Sequence, residues 1–201
     1  MIVQQNVIAL FDFDKTLIDR DSLLPFLIHL QGRWKTFFSM VKLLSVFLRY
    51  LCDGLSRQEV KERILMSALA GKRYIDLEIE GKKYADKHLD KFLKQKAYRR
   101  LQWHLSQGHR CVLISASLEV YLKPWAKRHG FEAVLGSRLK LNPDKSVTGR
   151  LEGLNCWGIE KLQRFKQYMQ TDSYEELYMY GDSRGDAELL ALADHPYYRT
   201  F

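Results

Sequence analysis

Short apolar runs and longer segments of helical periodicity alternate along the chain. Four of the runs, at residues 7–11, 111–114, 133–135 and 177–180, have the length and composition of strands buried in a parallel sheet. The segment between about residues 22 and 100 is instead rich in Leu, Phe, Lys and Arg and has little strand character. Strands that alternate with helices predict an α/β fold built on a parallel sheet.

Two helices and a hairpin complete the predicted order of elements. A helix is expected after the second run, with Pro124 near its first turn and Gly130 just past its end. Residues 138–151 have the pattern of a β-hairpin that turns on the Asn-Pro-Asp-Lys sequence at 142–145. A further helix is predicted over residues 158–169, and the run at 177–180 is the last clear strand.

Polar residues follow three of the predicted strands at the point where each strand ends. Asp12 and Asp14 come after the first, Ser115 after the second, and Asp182 and Asp186 after the last. Ligands of open α/β sheets bind outside the carboxyl ends of the strands, so we expect these side chains to gather at one edge. Crowded carboxylates repel each other without a cation, and oxygen ligands with no His or Cys nearby suit Mg²⁺. Such a site is suited to phosphoryl transfer.

The composition narrows the class of protein. With 46% apolar and 28% charged residues among 201, the chain is neither collagen-like nor disordered. Its three cysteines lack C-x-x-C spacing and its polar first residues do not form a secretory signal, so we expect a cytoplasmic protein. Lys and Arg number 32 against 24 for Asp and Glu, and the formal charge of +8 favours anionic partners.

Four motifs, in this order, resemble those of the haloacid dehalogenase superfamily of aspartate-nucleophile phosphatases. They are Asp12-x-Asp14-x-Thr16, Ser115, Lys161 at the start of a helix, and Gly181-Asp182-Ser183-x-x-Asp186. Within the superfamily, the chain is similar to the phosphoserine-phosphatase-like subfamily. That resemblance implies a Rossmann-like parallel-sheet core, expected at residues 1–19 and 97–201, and an inserted α-helical cap at about 20–96.

The resemblance also implies a role for each acidic residue. Asp12 would attack phosphorus and form an aspartyl-phosphate. Asp14 would protonate the leaving oxygen and then activate the water that hydrolyses the intermediate, which requires a raised pKa, with neighbouring carboxylates as the expected cause. Mg²⁺ would be held by Asp12, Asp182 and the backbone carbonyl of Asp14.

The other motif residues are implied to bind the phosphoryl group or to support those that do. The phosphate-binding residues would be Thr16, Ser115, Ala116 and Lys161. Lys161 would offset negative charge on the transferring group. Asp186 and Ser183 would be supporting residues, with Asp186 orienting Lys161 or a metal-bound water.

Residues 34–51 leave two substrate classes open. Their only charges are Lys35, Lys42 and Arg49, spaced seven apart on one face of a helix, and three charges argue against a transmembrane span. We favour packing of this helix inside the cap, which indicates a small phosphorylated metabolite as substrate. The alternative is a helix at the inner membrane surface, peripherally bound to anionic lipid. The chain would then be similar to the phosphatidylglycerophosphate phosphatases of the same subfamily, which act on a lipid headgroup.

Two other functions share parts of this sequence pattern. The basic stretch from Lys82 to Arg100 is predicted to be helical, with Tyr84, Leu89, Phe92 and Leu93 facing inward. A nucleic-acid-binding protein would use it for phosphate contacts, but no stacking platform or binding motif accompanies it, so no nucleic acid is expected. A phosphotransferase shares the aspartyl-phosphate step and stays an alternative. Nothing in the sequence indicates an oligomeric state.

Overall fold

The computed structural model describes residues 6–42, 55–170 and 172–201. Its strands are β1 (Val7–Phe11), β2 (Arg110–Leu118), β3 (Ala133–Ser137), β4 (Leu139–Leu141), β5 (Val147–Leu151), β6 (Glu176–Gly181) and β7 (His195–Tyr198). Its helices are α1 (Leu23–Gln31), α2 (Arg33–Lys42), α3 (Arg57–Leu69), α4 (Tyr74–Lys87), α5 (Gln95–Ser106), α6 (Glu119–Arg128), α7 (Ile159–Met169) and α8 (Ala187–Leu192). Single helical turns lie at Leu89–Phe92 and Arg184–Asp186.

Five of the strands form one parallel sheet in the order β3-β2-β1-β6-β7, which confirms the predicted α/β fold. β1 lies at the centre and is buried along its length, as expected for a continuous apolar run covered on both faces. Its register pairs Phe11 with Leu113 on one side and with Tyr180 on the other. The residues that follow these positions therefore leave the sheet at the same edge.

Alternate side chains of β1 point into two hydrophobic cores. Ile8 and Leu10 pack on one face of the sheet in a cluster that includes Phe165 of α7. Ala9 and Phe11 face the other core, which continues into the helices between β1 and β2 through residues such as Phe26. Because one core serves both the sheet and these helices, the described helices between β1 and β2 (the helical segment) are packed against the sheet.

The chain enters and leaves the helical segment at one place. Ile18 and Leu93 form an antiparallel bridge, the N–H of Asp19 donates to the carbonyl of Phe92 at 2.9 Å, and the N–H of Lys94 donates to the carbonyl of Leu17 at 2.9 Å. The two connections are therefore hydrogen-bonded to each other at the edge of the sheet that carries Asp12.

Two sequence predictions at the carboxyl half need correction. Pro124 lies well inside α6 and not near its first turn, because β2 extends to Leu118 and the helix begins directly after it. The run at 177–180 is not the last strand, because β7 follows and pairs in parallel with β6. β7 includes Pro196, which lacks a backbone N–H and is tolerated because the strand lies at the edge of the sheet.

The basic stretch from Lys82 to Arg100 is not one continuous helix. α4 ends at Lys87, a single turn follows, and α5 begins at Gln95. Asp90 in that turn accepts a hydrogen bond from the indole of Trp125 at 2.7 Å, which holds the turn against α6. Tyr84 and Leu89 are buried as predicted.

The helix predicted within residues 34–51 is described as far as Lys42, so Arg49 lies outside the described residues. α2 buries Thr36 but leaves the aromatic rings of Trp34, Phe37 and Phe38 exposed. The favoured interpretation, packing inside the cap, is therefore wrong for these three side chains. In the part of the chain that the structure describes, no helix combines the length and the apolar composition needed to cross a bilayer.

The burial of His104 should make the stability of the protein depend on pH. His104 is fully buried, with its ring nitrogens 2.9 Å from the hydroxyl of Tyr180 and 2.8 Å from the ring of His109. Burial lowers the pKa of His104 from 6.5 to about 3. The unfolded chain therefore binds more protons between those values, and the free energy of unfolding should fall as the pH drops below about 6.5.

We expect His104→Gln to reduce this acid sensitivity by about 2 kcal/mol between about pH 7 and pH 5, since one pKa unit corresponds to about 1.4 kcal/mol. Urea unfolding of both proteins at the two pH values measures the difference. Parallel losses of stability in the variant and the parent would contradict the assignment of His104 as the titrating group.

Candidate active site

The loop after β1 presents two carboxylates to one side of the chain. Asp12 and Asp14 have extended backbone conformations, while the side chain of Phe13 between them is buried against Trp125, with ring centroids 4.9 Å apart. Lys15 has a φ of 59° and turns the chain sharply. The N–H of Asp12 donates to the carbonyl of Tyr180 at 2.9 Å, which ties the start of this loop to the end of β6.

A buried lysine bridges two of the predicted acidic residues. Lys161, in the first turn of α7, donates to Asp12 Oδ1 at 2.7 Å and to Asp186 Oδ1 at 2.6 Å, and all three side chains are buried. Thr16 lies on the other side of Asp12, with its Oγ1 3.4 Å from Oδ2. Burial raises the pKa of Asp12 to about 6, with Lys161 opposing that shift. The structure thus brings the first, third and fourth motifs together.

Asp186 fixes the conformation of the loop after β6. Its Oδ2 accepts hydrogen bonds from the N–H of Ser183 at 3.1 Å, from the hydroxyl of Ser183 at 3.0 Å and from the N–H of Asp182 at 3.3 Å. A Cβ at Gly181 would lie 2.6 Å from the Cβ of Asp186, so this approach requires glycine. Both oxygens of Asp186 are therefore engaged within the protein.

Three carboxylates meet at this edge of the sheet. One oxygen each from Asp12, Asp182 and Asp186 lie within 4.8 Å of one another. Asp182 is half-buried, and burial, followed by the charge of Asp186, raises its pKa. Carboxylate oxygens are the ligands that hard cations such as Mg²⁺ prefer, and Asp12 and Asp182 have the spacing to share one ion. The residues present therefore fit a divalent cation.

Asp14 is held by donors from two directions. Its carboxylate accepts hydrogen bonds from the hydroxyl of Ser117 at 2.5 Å and from the N–H of Ser22 at 3.0 Å. Its pKa is raised to about 7, chiefly by burial and then by the charge of Asp21. The expectation that neighbouring carboxylates are the main cause is therefore corrected: loss of hydration is the larger effect.

The end of β2 contributes the second motif. Ser115 is buried, and its hydroxyl accepts a hydrogen bond from the N–H of Ser117 at 3.1 Å. Ser115 and Ala116 line the same cavity as Asp12 and Lys161. In the sequence, Ser117 competes with Ser115 for the second-motif position, and its contact with Asp14, far away in sequence, was not predicted.

The helical segment forms part of the wall of the cavity that these residues line. The cavity has a volume of about 430 Å³, and α3 lines it with Arg57, Val60, Lys61 and Ile64. Their i, i+3, i+4, i+7 spacing places them on one face of α3, a signal that the sequence analysis missed. The guanidinium of Arg57 also lies 4.8 Å from the ring centroid of Trp157, another residue of the cavity wall.

Similarity to known proteins extends over nearly the whole chain. The sequence profile of the haloacid dehalogenase-like hydrolases matches residues 9–191. Protein CicA from Caulobacter vibrioides is 30% identical over 198 residues, covering 98% of this chain and 87% of CicA. Histidinol-phosphatase from Neisseria meningitidis is 28% identical over 101 residues, covering 48% of this chain and 46% of that enzyme.

The fold is also found among solved structures. The crystal structure of a phosphoserine phosphohydrolase-like protein from Francisella tularensis aligns with a TM-score of 0.66 and 20% identity, covering 96% of this chain and 85% of that chain. At 20% identity, this similarity shows a shared fold alone.

Proposed function

The chain belongs to the haloacid dehalogenase-like hydrolases, and on that premise we propose that it hydrolyses phosphate monoesters through covalent catalysis by Asp12. One observation carries the proposal: a buried Asp12, paired with Lys161 at 2.7 Å, lies at the cavity together with the protonatable Asp14. A nucleophile, an acid and a cation in one cavity are what phosphoryl transfer from an ester requires. The histidinol-phosphatase among the relatives supports the same class of reaction.

In the first step, a carboxylate oxygen of Asp12 forms a bond to phosphorus as the bond to the leaving oxygen breaks. Asp14 donates its proton to that leaving oxygen and releases it as an alcohol. A pKa of about 7 keeps a large fraction of Asp14 protonated near neutral pH, which suits this role. Lys161 and the residues at the end of β2, Ser115 and Ala116, surround the charged group as it transfers.

In the second step, water replaces Asp12 on phosphorus. Asp14, now a carboxylate, takes a proton from the water, whose oxygen bonds to phosphorus as the acyl-phosphate bond breaks. Inorganic phosphate leaves, and Asp12 is restored. Asp12, Asp182 and the backbone carbonyl of Asp14 would hold Mg²⁺, which supplies positive charge beside the phosphoryl oxygens when bound.

The cavity supports a small phosphorylated metabolite as substrate. Its volume of about 430 Å³ is in the lower part of the range for small-molecule sites. A second candidate, a lipid phosphomonoester at an anionic membrane, is supported by a different observation. α2 exposes Trp34, Phe37 and Phe38 beside the exposed Lys35, a combination typical of helices that lie at a membrane interface.

A phosphate-release screen tests the proposed function. We expect inorganic phosphate from amino-acid, sugar or nucleotide monophosphates in the presence of Mg²⁺, with at least about 100-fold less after chelation by EDTA and recovery on adding Mg²⁺ back. Lipid phosphomonoesters in anionic vesicles form a separate arm, and preferential turnover there would favour the membrane candidate. Undiminished release in EDTA would contradict the metal site, and alcohol produced without inorganic phosphate would indicate a phosphotransferase.

A further inference from the structure

Lys61 reaches from α3 into the α/β core. Its ammonium group donates to the carbonyl of Ala116, to Asn155 Oδ1 at 2.9 Å and to the hydroxyl of Ser137 at 3.3 Å. An ammonium has three N–H donors, so these contacts use all of them. Burial lowers the pKa of Lys61 to about 8, as expected for a cation removed from water. In this arrangement the lysine has no donor left for a substrate.

Other side chains of α3 are attached to the core as well. Gln58 accepts a hydrogen bond from the N–H of Asn155 at 3.2 Å, and Glu62 accepts one from the N–H of Leu151 at 3.0 Å. A Cβ at Gly149 on β5 would lie 2.4 Å from the backbone of Met66, so α3 lies directly against this strand. The contacts of Lys61 therefore belong to an extended polar interface between α3 and the core.

The carbonyl that Lys61 binds belongs to the segment 115–117 at the end of β2. Ser137 also donates to the carbonyl of Ala116, at 2.7 Å. The hydroxyl of Ser117, on the next residue, donates to Asp14 at 2.5 Å. The segment is thus fixed on one side by Lys61 and Ser137 and on the other by Asp14. Loss of the lysine would leave Ser137 as the donor to the Ala116 carbonyl and would hold the Ala116–Ser117 peptide less firmly.

We propose that Lys61 is a positioning residue, which holds the segment 115–117 in its phosphate-binding conformation and thereby makes phosphate affinity depend on α3 lying over the cavity. The inference rests on the proposed function, in which Ser115 and Ala116 bind phosphoryl oxygens. Under this proposal α3 influences phosphate binding although Lys61 does not contact the substrate.

The test compares three variants. Lys61→Met removes the donors and keeps the apolar stem, Lys61→Arg restores a cationic donor, and Arg63→Met is the matched control on the same helix. The measurements are kcat and KM for para-nitrophenyl phosphate, calorimetric binding of inorganic phosphate with Mg²⁺ present, and hydrogen exchange of peptides covering 57–69 and 115–117. Calorimetry and exchange need no turnover.

We expect Lys61→Met to weaken phosphate binding about tenfold and to lower kcat about tenfold. Hydrogen exchange should be faster in both peptides. Lys61→Arg should recover most of the loss, and Arg63→Met should match the parent. Unchanged phosphate binding in Lys61→Met, with a lower thermal stability, would overturn the proposal and leave a purely structural lysine. A higher KM for the ester with unchanged phosphate binding would also overturn it, because Lys61 would then contact the substrate directly.

Failure of the proposed function can be told apart from failure of this inference. A parent protein that binds phosphate without hydrolysing any ester would contradict the hydrolase, while weaker phosphate binding in Lys61→Met would still support the positioning role. A parent that does not bind phosphate would overturn both.

Discussion

Replacing Asp12 with Asn is expected to lower kcat for phosphate release by at least about 10³-fold while the protein remains folded. The carboxamide has nearly the shape of the carboxylate and keeps an oxygen for the ammonium of Lys161, which lies 2.7 Å from Asp12 Oδ1. Lys161 also keeps its contact with Asp186. Because an amide is a poor nucleophile, the chemical step should fail although the surroundings are preserved.

Steady-state phosphate release gives the rate, and mass spectrometry of acid-quenched reactions detects the phosphorylated enzyme. The parent should carry one phosphoryl group on the peptide that includes Asp12, and the variant should carry none. Asp19→Asn is a matched control, because Asp19 is an exposed carboxylate close in sequence that pairs with Arg20. Substantial turnover by the Asp12 variant would refute the nucleophile assignment.

Replacing Lys161 with Met should damage both stability and catalysis. The ammonium lies between Asp12 and Asp186, which are 6% and 0% exposed, so its loss leaves two buried carboxylates without their cation. Breaking a buried ion pair in this way typically costs about 3–5 kcal/mol of unfolding free energy. Loss of the positive charge beside the transferring group should also lower kcat by about 100-fold or more.

The stability loss of the Lys161 variant should depend on pH. Without the lysine, which opposes the effect of burial, the pKa of Asp12 rises further above its unfolded value, so the folded variant takes up a proton. Its stability deficit relative to the parent should therefore be smaller at about pH 5 than at about pH 8, as measured by urea unfolding. Lys166→Met, an exposed position on the same helix, is the control and should match the parent. An equal effect of both substitutions would contradict the assignment to Lys161.

The strand-end pattern was sufficient to predict which acidic residues meet. Phe11 pairs with both Leu113 and Tyr180, so residues just beyond three buried apolar runs come together at one edge of the sheet. Asp12 and Asp182 could be found in this way because the runs mark the strands clearly. Their catalytic and metal-binding roles stay predictions until the variants and the metal dependence are measured.

Other features depend on tertiary contacts that local patterns do not encode. In the sequence, Lys61 is one of several charged residues on a helix, and nothing marks it as buried. Its ammonium group enters the core because α3 packs against β5, a contact that appears only in the folded structure. Ser117 belongs to the site because its hydroxyl donates a hydrogen bond to Asp14, which follows a different strand. β7 was missed because Pro196 and its aromatic neighbours do not form the apolar run typical of the central strands.

The bridge between Ile18 and Leu93 has an evolutionary consequence. When the two ends of an insertion already meet, the entropic cost of a longer or shorter stretch between them changes slowly with its length. The length of the stretch between those two residues can therefore change over evolution at little entropic cost while the strand order stays the same. The inserted helices and the catalytic residues at the edge of the sheet can then diverge at different rates within a single polypeptide.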